Sequence, residues 1–461
     1  MEKIVIAGGG IAGLVAAGML VRQGKKNITI IESDERVGGL LKSFSYPGYG
    51  QFDHGTHYLA SIYGDAINEL LLNCLPENEW SFLRGIKSDV SGVYFNEVLQ
   101  KNTVFADFRS FSKKKHARYI GELFAHVNES SIIENINDNC AKHYLEKLYG
   151  ETITEEVFEP ILYNIFGLPS SKLHEVAAML IPLHRICLFN KPIAEEILST
   201  TLLNSTHAYP SQLELPNHLA PKYFSYYPKK RGMQTMIDSL ENYLIDNGVQ
   251  ILTGTKIEEA IVENKAINGL QLDNGSELSV SNFISALPLI GLSKIMGINL
   301  GKTLSQMDKP KHTVITNFIL KKVNDLNERQ YIYCYDEALK TFRITNYNAL
   351  TNSDECKPPL TVESLFDDVP SKEDVNKTII NELSLMGIIN SPQDVEFVRS
   401  EILAYGFPCL STKNILALDS LRNQINDIGV TNMTKIGALN ENNIFFMKDM
   451  LLDVKKKIET L

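Results

Sequence analysis

The sequence predicts an α/β fold in which a Rossmann-type domain is interrupted by a helical cap and by a mixed or antiparallel sheet. Three observations predict it. Residues 4–13 read Ile-Val-Ile-Ala-Gly-Gly-Gly-Ile-Ala-Gly, an apolar run that breaks into closely spaced glycines. An acid, Glu32, closes the next apolar run. Helix-periodic and alternating segments then take turns along 461 residues, a length beyond that at which a single core stops growing.

The N-terminal elements follow in order. Ile4 to Ala7 make a short buried strand. Gly8 permits the tight turn out of it, Gly10 lets backbone approach a pyrophosphate, and Gly13 allows close helix–strand contact. Ile11 and Ala12 open a helix whose first N–H groups and positive dipole end point at the phosphates. Ala17 sits at its tight contact position and Gly24 at its end. Asn27 to Ile31 make the second strand, and Glu32 would accept hydrogen bonds from a ribose diol. The next segment, Glu32-Ser33-Asp34-Glu35-Arg36-Val37-Gly38-Gly39-Leu40, departs from a nicotinamide domain, which usually runs on into its next helix. A loop of this kind brings backbone N–H groups and one guanidinium to the same pyrophosphate. The alternative for Arg36 is a solvated surface charge.

Further along, 61–215 is mostly helical by apolar periodicity, as in Ala66 to Leu72 and Ala117 to Val127, with a strand-like insert at Val93 to Phe95. Residues 226–290 return to α/β: a helix from Gly232 to Asn247, a strand from Val249 to Leu252, paired strands from Ile257 to Leu272, a turn at Asp273-Asn274-Gly275 and a strand at Phe283 to Ala286. Residues 310–350 alternate (Thr313 to Leu320, Tyr331 to Tyr335, Thr341 to Tyr347), which predicts an antiparallel sheet with one face covered. A strand from Glu396 to Ala404 and a final strand, loop and helix complete the chain.

The glycine fingerprint followed by acid-x-x-x-Arg-x-Gly-Gly resembles the superfamily of FAD-dependent amine oxidases, protoporphyrinogen oxidases and phytoene desaturases. The resemblance implies FAD, bound non-covalently and extended. Tyr227-Pro228-Lys229-Lys230-Arg231-Gly232-Met233 looks like the segment that re-enters the FAD domain. By the same resemblance Ile257 offers its backbone to the adenine edge, and Ser285-Ala286-Leu287-Pro288 is similar to a strand end that closes over this domain. Phe158 to Gly167 resembles the helical cap of a branch shared by UDP-galactopyranose mutase-like and protoporphyrinogen oxidase-like proteins. So do Tyr331-Ile332-Tyr333, with Arg343 in the next strand, and Tyr405-Gly406-Phe407-Pro408 as a return strand. The implied layout is an FAD-binding domain from 1–60, 216–290 and 411–461, a helical cap from 61–215 and a substrate-binding sheet lobe from 291–410. The C-terminus departs from the pattern. Gly437 is present, but Ala438 replaces the family's charged residue, a loss of about 1.5–3 kcal/mol if that contact is charged and buried. The last helix, opening at Phe446 to Met450, would still aim its N–H groups at the flavin.

By this resemblance Phe52 to Leu59 should lie against the flavin. Gly55 and Thr56 would bring backbone near its ring, and an N–H there stabilises negative charge on reduction. His57 is the better of two histidines for acid, base or hydrogen-bonding work, with His54 second. Both have a purely structural alternative. Arg343 would suit a substrate carboxylate or phosphate, or else is an outward surface charge. Tyr333, Tyr335 and Tyr347 are spaced to share faces of neighbouring strands, as pocket lining or as core. His184-Arg185 reads as a substrate clamp or a buried pair.

Composition narrows the rest. A net charge of −10 argues against sequence-independent nucleic-acid binding and against attraction to anionic lipid. The 6 cysteines are scattered, with no zinc spacing, and no metal site is expected. The most apolar helical stretch, Ala177 to Asn190, is interrupted by Pro182, His184 and Arg185 well short of a membrane span. The first strand begins near Lys3, leaving no room for a targeting peptide, so a soluble cytoplasmic protein with a small-molecule substrate is expected; its oligomeric state stays open. There is no Gly-x-Ser-x-Gly elbow, P-loop or His-Glu-x-x-His, and no second glycine fingerprint for NAD(P)H. The leading expectation is an oxidoreductase that passes a hydride from its substrate to FAD. A flavin-dependent, non-redox mutase of a nucleotide sugar is the runner-up, using Arg185 and Arg343 on a diphosphate. A flavin-binding protein with a degenerate site is third.

Overall fold

The computed structural model describes residues 2–100, 103–129, 139–199, 206–324, 326, 328–403, 406–441 and 444–461, the side chains of 127–129 excepted. Tyr405, Asn442, Asn443 and the predicted strand end at Ala404 lie outside the described residues. The chain divides into two compact units, one of Met1–Ser81, Tyr226–Met307 and Ile415–Leu461, the other of Phe82–Ser225 and Asp308–Asn414.

The first unit is built on a five-stranded sheet in the order Gln250–Leu252, Ile28–Ile31, Ile4–Ala7, Asn282–Ser285, Met433–Lys435. Every pairing is parallel. Ile4–Ala7 lies in the middle and is buried throughout, which is why it reads as an unbroken apolar run rather than an alternating one. The helix Ile11–Arg22 is buried from Ile11 to Leu20. A Cβ on its Gly18 would meet the Leu70 side chain at 2.6 Å, so the helix Asp65–Leu72 packs closely there. The strands Ile257–Glu263, Ala266–Leu272 and Glu277–Ser279 form an antiparallel meander whose inward residues Ala260, Ile267, Leu270 and Leu272 join Leu289, Leu292, Leu421 and Ile425 in one core.

The second unit holds a seven-stranded sheet in the order Val395–Ile402, His312–Leu320, Pro359–Phe366, Thr341–Asn346, Tyr331–Cys334, Ser91–Phe95, Val98–Gln100. One face is covered by the helix Lys372–Leu385: Val314, Ile332, Ile344 and Val362 meet Val375, Ile379 and Leu383. The structure corrects the sequence reading in four places. Pro359–Phe366, where the sequence reading gave no strand, is a central strand, with Pro359 at its start, where a missing N–H is tolerated. Ser91–Phe95, read as an insert among helices, pairs in parallel with Tyr331–Cys334, so the sheet is mixed. Tyr347 does not share a strand face with Tyr333 and Tyr335, because the chain turns at Asn346 into the helix Tyr347–Thr351; its hydroxyl is within 2.9 Å of Thr361 Oγ1. Gly406 to Leu410 is not a strand, and Phe407 donates its N–H to Thr313 Oγ1 at 2.9 Å.

In the helical part, Glu151–Ile153 runs through a π-helical turn, Thr154–Phe158, into Glu159–Phe166, and Gly167 ends it with φ 70°. The apolar stretch after Ala177 breaks as expected: the helix Glu175–Leu180 stops and Ile186–Cys187 pairs with Ala106–Asp107. No helix among the described residues is long and apolar enough to cross a membrane.

Candidate dinucleotide site

In the first unit two glycine turns face each other. Gly8 leaves the central strand with φ 103°, and a Cβ there would lie 3.2 Å from the Ala286 carbonyl oxygen. A Cβ on Gly13 would lie 2.0 Å from the Gly8 carbonyl oxygen, inside the backbone itself. Opposite, Gly38 (φ 124°) donates its N–H to Gly9 O at 2.8 Å, and a Cβ on Gly39 (φ 57°) would come within 3.2 Å of Gly10 Cα. Gly9, to which sequence reasoning assigned no role, is confined as well: a Cβ would meet Val37 Cγ1 at 2.8 Å. The helix Ile11–Arg22 starts at Gly10 with no side-chain cap and no acid in its first turn. Its first N–H groups are therefore left by the protein's own side chains for an anion.

Glu32 ends its strand with both carboxylate oxygens held. Oε2 accepts the Gly9 N–H at 2.7 Å and Oε1 accepts the Asp34 N–H at 2.9 Å and the Ser33 hydroxyl at 3.3 Å. The segment that leads to Ile257 runs beside it, with Thr255 N bonded to Glu32 O at 3.0 Å and Gly254 N to Asp34 O at 2.9 Å. At the carboxyl end of the sheet Ala286 donates to Ala7 O at 2.8 Å, and a Cβ on Gly437 would lie 3.6 Å from Ala286 O. Gly8, Ala286 and Gly437 thus meet at the ends of three adjacent parallel strands, where open α/β sheets hold their ligands. Ala438 is exposed, and Met450 lies in the first turn of the helix Met447–Ile458. Leu40 is exposed. The Arg36 guanidinium is engaged by Asp238, with Nη2 3.0 Å from Oδ1 and 3.2 Å from Oδ2.

Phe52, Asp53 and the turn through His54, Gly55 (φ 121°), Thr56 and His57 follow the hairpin Ser43–Tyr46 and Gly50–Asp53. Asp53, which sequence reasoning left without a role, is fully buried. It accepts Ser43 Oγ–H at 2.6 Å, Tyr227 O–H at 2.6 Å and Met233 N–H at 2.8 Å. Burial pushes its carboxyl up to about 6, opposed by these donors and by the nearby Arg231. Its neighbour His54 moves the other way. Burial and then Lys42 lower it to about 4, against the pull of Asp34, and its ring lies 4.3 Å from that of Phe44. His57 is half-buried.

In the second unit Arg343 forms a two-pronged pair with Glu363, Nε to Oε1 at 2.6 Å and Nη2 to Oε2 at 2.8 Å. Its Nη1 donates to the Tyr333 hydroxyl oxygen at 3.3 Å, and Tyr333 stacks on Tyr335 with ring centroids 5.9 Å apart. Arg185 donates to the His207 carbonyl at 3.3 Å, whereas Arg343 bonds Glu363 and Tyr333. Burial and then Arg185 lower the pKa of His184, whose ring meets Phe105 edge-on. Among the described residues no group of His, Cys, Asp and Glu could hold a metal ion.

Residues 6–73 match the family described as NAD(P)-binding Rossmann-like domain. The chain is 24% identical over 313 residues, 64% of its length, to a 4,4'-diapolycopen-4-al dehydrogenase of Metabacillus indicus. It spans 57% of that protein, and 13%, 62% and 46% of three other curated relatives that it matches. Among solved structures, reduced UDP-galactopyranose mutase superposes with a TM-score of 0.76 at 16% identity, covering 100% of this chain and 94% of that one. A protein from Exiguobacterium sp. 255-15 named as a candidate protoporphyrinogen oxidase superposes with a TM-score of 0.70 at 16% identity, covering 100% and 98%. In fold and in sequence the chain resembles the superfamily of FAD-dependent amine oxidases and desaturases. Its Rossmann unit is the one built by Gly8, Gly10, Gly13 and Glu32.

Proposed function

We propose that the chain is an FAD-dependent oxidoreductase that oxidises or reduces a small molecule in the cytoplasm. The observation that carries this reading is the pair of opposed turns, Gly8 to Gly13 and Gly38-Gly39, which approach so closely that a Cβ on Gly9 would meet Val37 Cγ1 at 2.8 Å and one on Gly39 would meet Gly10 Cα at 3.2 Å, beside a helix start with no side-chain cap. They fit a diphosphate that two chain segments must approach at once, an arrangement one glycine turn of a nicotinamide domain does not need. When bound, FAD would supply a ring that accepts or gives a hydride.

On this reading Gly8, Gly10, Ile11, Ala12, Gly13, Gly38, Gly39 and Leu40 hold the pyrophosphate through backbone, with Arg36 contributing charge. Glu32, beside Ser33, binds the ribose, and Ile257 borders the adenine. Ala286, Gly437 and Met450 line the ribityl side. Gly55 and Thr56 offer backbone to the ring, and His57 holds or moves a proton on the substrate. Within the second unit Arg343, fixed by Glu363, keeps N–H groups suited to an anionic group of a substrate. Relatives of this chain are named as a dehydrogenase, an oxygenase and a reductase, which supports a redox reaction over an isomerisation. The mutase reading asks for two free arginines on a diphosphate; Arg343 is neutralised by Glu363 and Arg185 holds a carbonyl, which counts against it.

The test is the visible spectrum of the purified protein after incubation with FAD and gel filtration. A retained flavin spectrum that bleaches with an organic hydride donor is the expected result. Protein that stays colourless overturns the flavoenzyme reading. Turnover of a UDP-sugar seen only after chemical reduction moves the assignment to the mutase.

A further inference from the structure

Helix Gln234–Asp246 lies under the second glycine turn, and its first two turns are unusually constrained. Its N-terminus carries no cap of its own; the hairpin supplies one. Met233 N–H is held by Asp53 Oδ1 at 2.8 Å and Gln234 N–H by Ser43 Oγ at 3.1 Å. From this pinned start Gln234, 1% exposed, donates Nε2–H to Asp238 Oδ1 at 2.7 Å, one turn along the same face. Asp238 in turn takes both oxygens to Arg36 Nη2. The residue between them, Ile237, touches the turn that Arg36 introduces: a Cβ on Gly38 would meet Ile237 Cγ2 at 3.2 Å. Glu241, one turn further on, is raised by burial and by Asp238 and lowered by Arg36, so it belongs to the same charge cluster.

An isolated surface ion pair is worth little, because two long side chains must be ordered for a screened attraction. Here the acid is already ordered by a buried amide, and Arg36 lies two residues before a glycine turn that meets Ile237 of the same helix. We propose that Asp238, braced by Gln234, is a positioning residue that holds the Arg36 guanidinium over the Gly38-Gly39 turn for the pyrophosphate of the dinucleotide. The proposal rests on the FAD reading. An arginine held in place loses less side-chain freedom when an anion arrives, and because both Asp238 oxygens contact the same nitrogen, Nη2, the other N–H donors of the fork are left for phosphate.

The experiment measures FAD affinity of the apoprotein by flavin fluorescence for wild type, Asp238→Ala, Asp238→Asn, Arg36→Ala and the Arg36→Ala/Asp238→Ala double variant, with thermal melting of each apoprotein alongside. Asp238→Ala is expected to weaken FAD roughly tenfold, the size of one charge-assisted hydrogen bond, and Asp238→Asn, which keeps an acceptor, to recover part of it. In the Arg36→Ala background Asp238→Ala should add less than about a twofold loss, the signature of a role exercised through Arg36. Equal losses in both backgrounds overturn the proposal, as does unchanged or tighter binding by Asp238→Ala. If Asp238→Ala melts too low to assay, Asp238→Asn against the same two backgrounds decides. Wild-type protein that takes up no FAD overturns the reading beneath it and the proposal together, whereas tight wild-type binding with inert variants overturns the proposal alone.

Discussion

Gly13 and the Gly8 carbonyl occupy one another's space: a single methyl group on Gly13 would end 2.0 Å from that oxygen. The clash is with backbone, so no rotamer relieves it. Gly13→Ala should lose FAD uptake by more than about tenfold and cost 1–3 kcal/mol or more of stability, roughly the penalty of overpacking a rigid site. Gly24→Ala is the control, since its Cβ would meet nothing within 4 Å and the cost is only that of φ 78°, about 1 kcal/mol. Visible absorbance after FAD loading and thermal melting of both variants check this. Equal behaviour of the two would show that the Gly13 contact is not what limits the turn.

Asp53 and His54 are adjacent, and their titrations oppose each other. The Asp53 carboxyl is raised to about 6, so the folded state prefers it protonated; the stability this confers is full below its unfolded value and fades as pH rises through about 6. His54 is lowered to about 4, so the folded state prefers it neutral; that stability is absent at acid pH and is gained as pH rises from about 4 towards the unfolded value. For the fully buried Asp53 the change amounts to about 3 kcal/mol. Relative to wild type, melting temperatures of Asp53→Asn should climb more steeply from pH ~4 to ~6, and those of His54→Asn should fall across the same interval. Parallel melting curves for the three proteins would refute the assignment.

Arg343 and Glu363 are 20% and 8% exposed at their side chains, so removing one charge leaves the other poorly solvated. Glu363→Gln should destabilise by roughly 3 kcal/mol, and Arg343→Lys should not restore the two-pronged geometry. Arg343→Met/Glu363→Leu, which removes both charges, should recover most of the loss in urea melts. A double variant as unstable as Glu363→Gln alone would mean that the cost lies elsewhere in the sheet.

Thiol reactivity should be confined. Burial raises the thiol pKa of Cys74 and Cys187 to about 12 and that of Cys334 and Cys409 upward, whereas Cys356 is exposed. Brief alkylation of native protein at neutral pH, followed by peptide mass analysis, should label Cys356 first. Early labelling of Cys187 or Cys334 would contradict the burial described here.

Local chemistry made the N-terminal unit legible. Positive φ at Gly8, Gly38 and Gly55, an apolar run covered on both faces, and an acid at a strand end each leave a mark on neighbouring residues. The same held for the meander, whose paired strands are found as Ile257–Glu263 and Ala266–Leu272, joined at Asn264 and Lys265 with positive φ at both. Ala286 and Gly437 entered the candidate site only through the family resemblance; the structure brings both, with Gly8, to strand ends at one edge of the sheet.

What the sequence determined by itself, then, is the class of fold and the backbone of the dinucleotide turn, since these follow from short-range sterics and periodicity. Only the tertiary structure decided who partners whom. Ser91–Phe95 pairs with Tyr331–Cys334 across more than two hundred residues, and a strand carries no mark of a neighbour that distant. Arg36 meets Asp238, and Arg343 meets Glu363 on the strand beside it, although each arginine reads in sequence as a free cation waiting for a ligand. Asp53 carries no role in the sequence reading, and only the fold shows it buried and held by three donors. A side chain's charge is written in the sequence, but its solvation and its partners are properties of the folded neighbourhood.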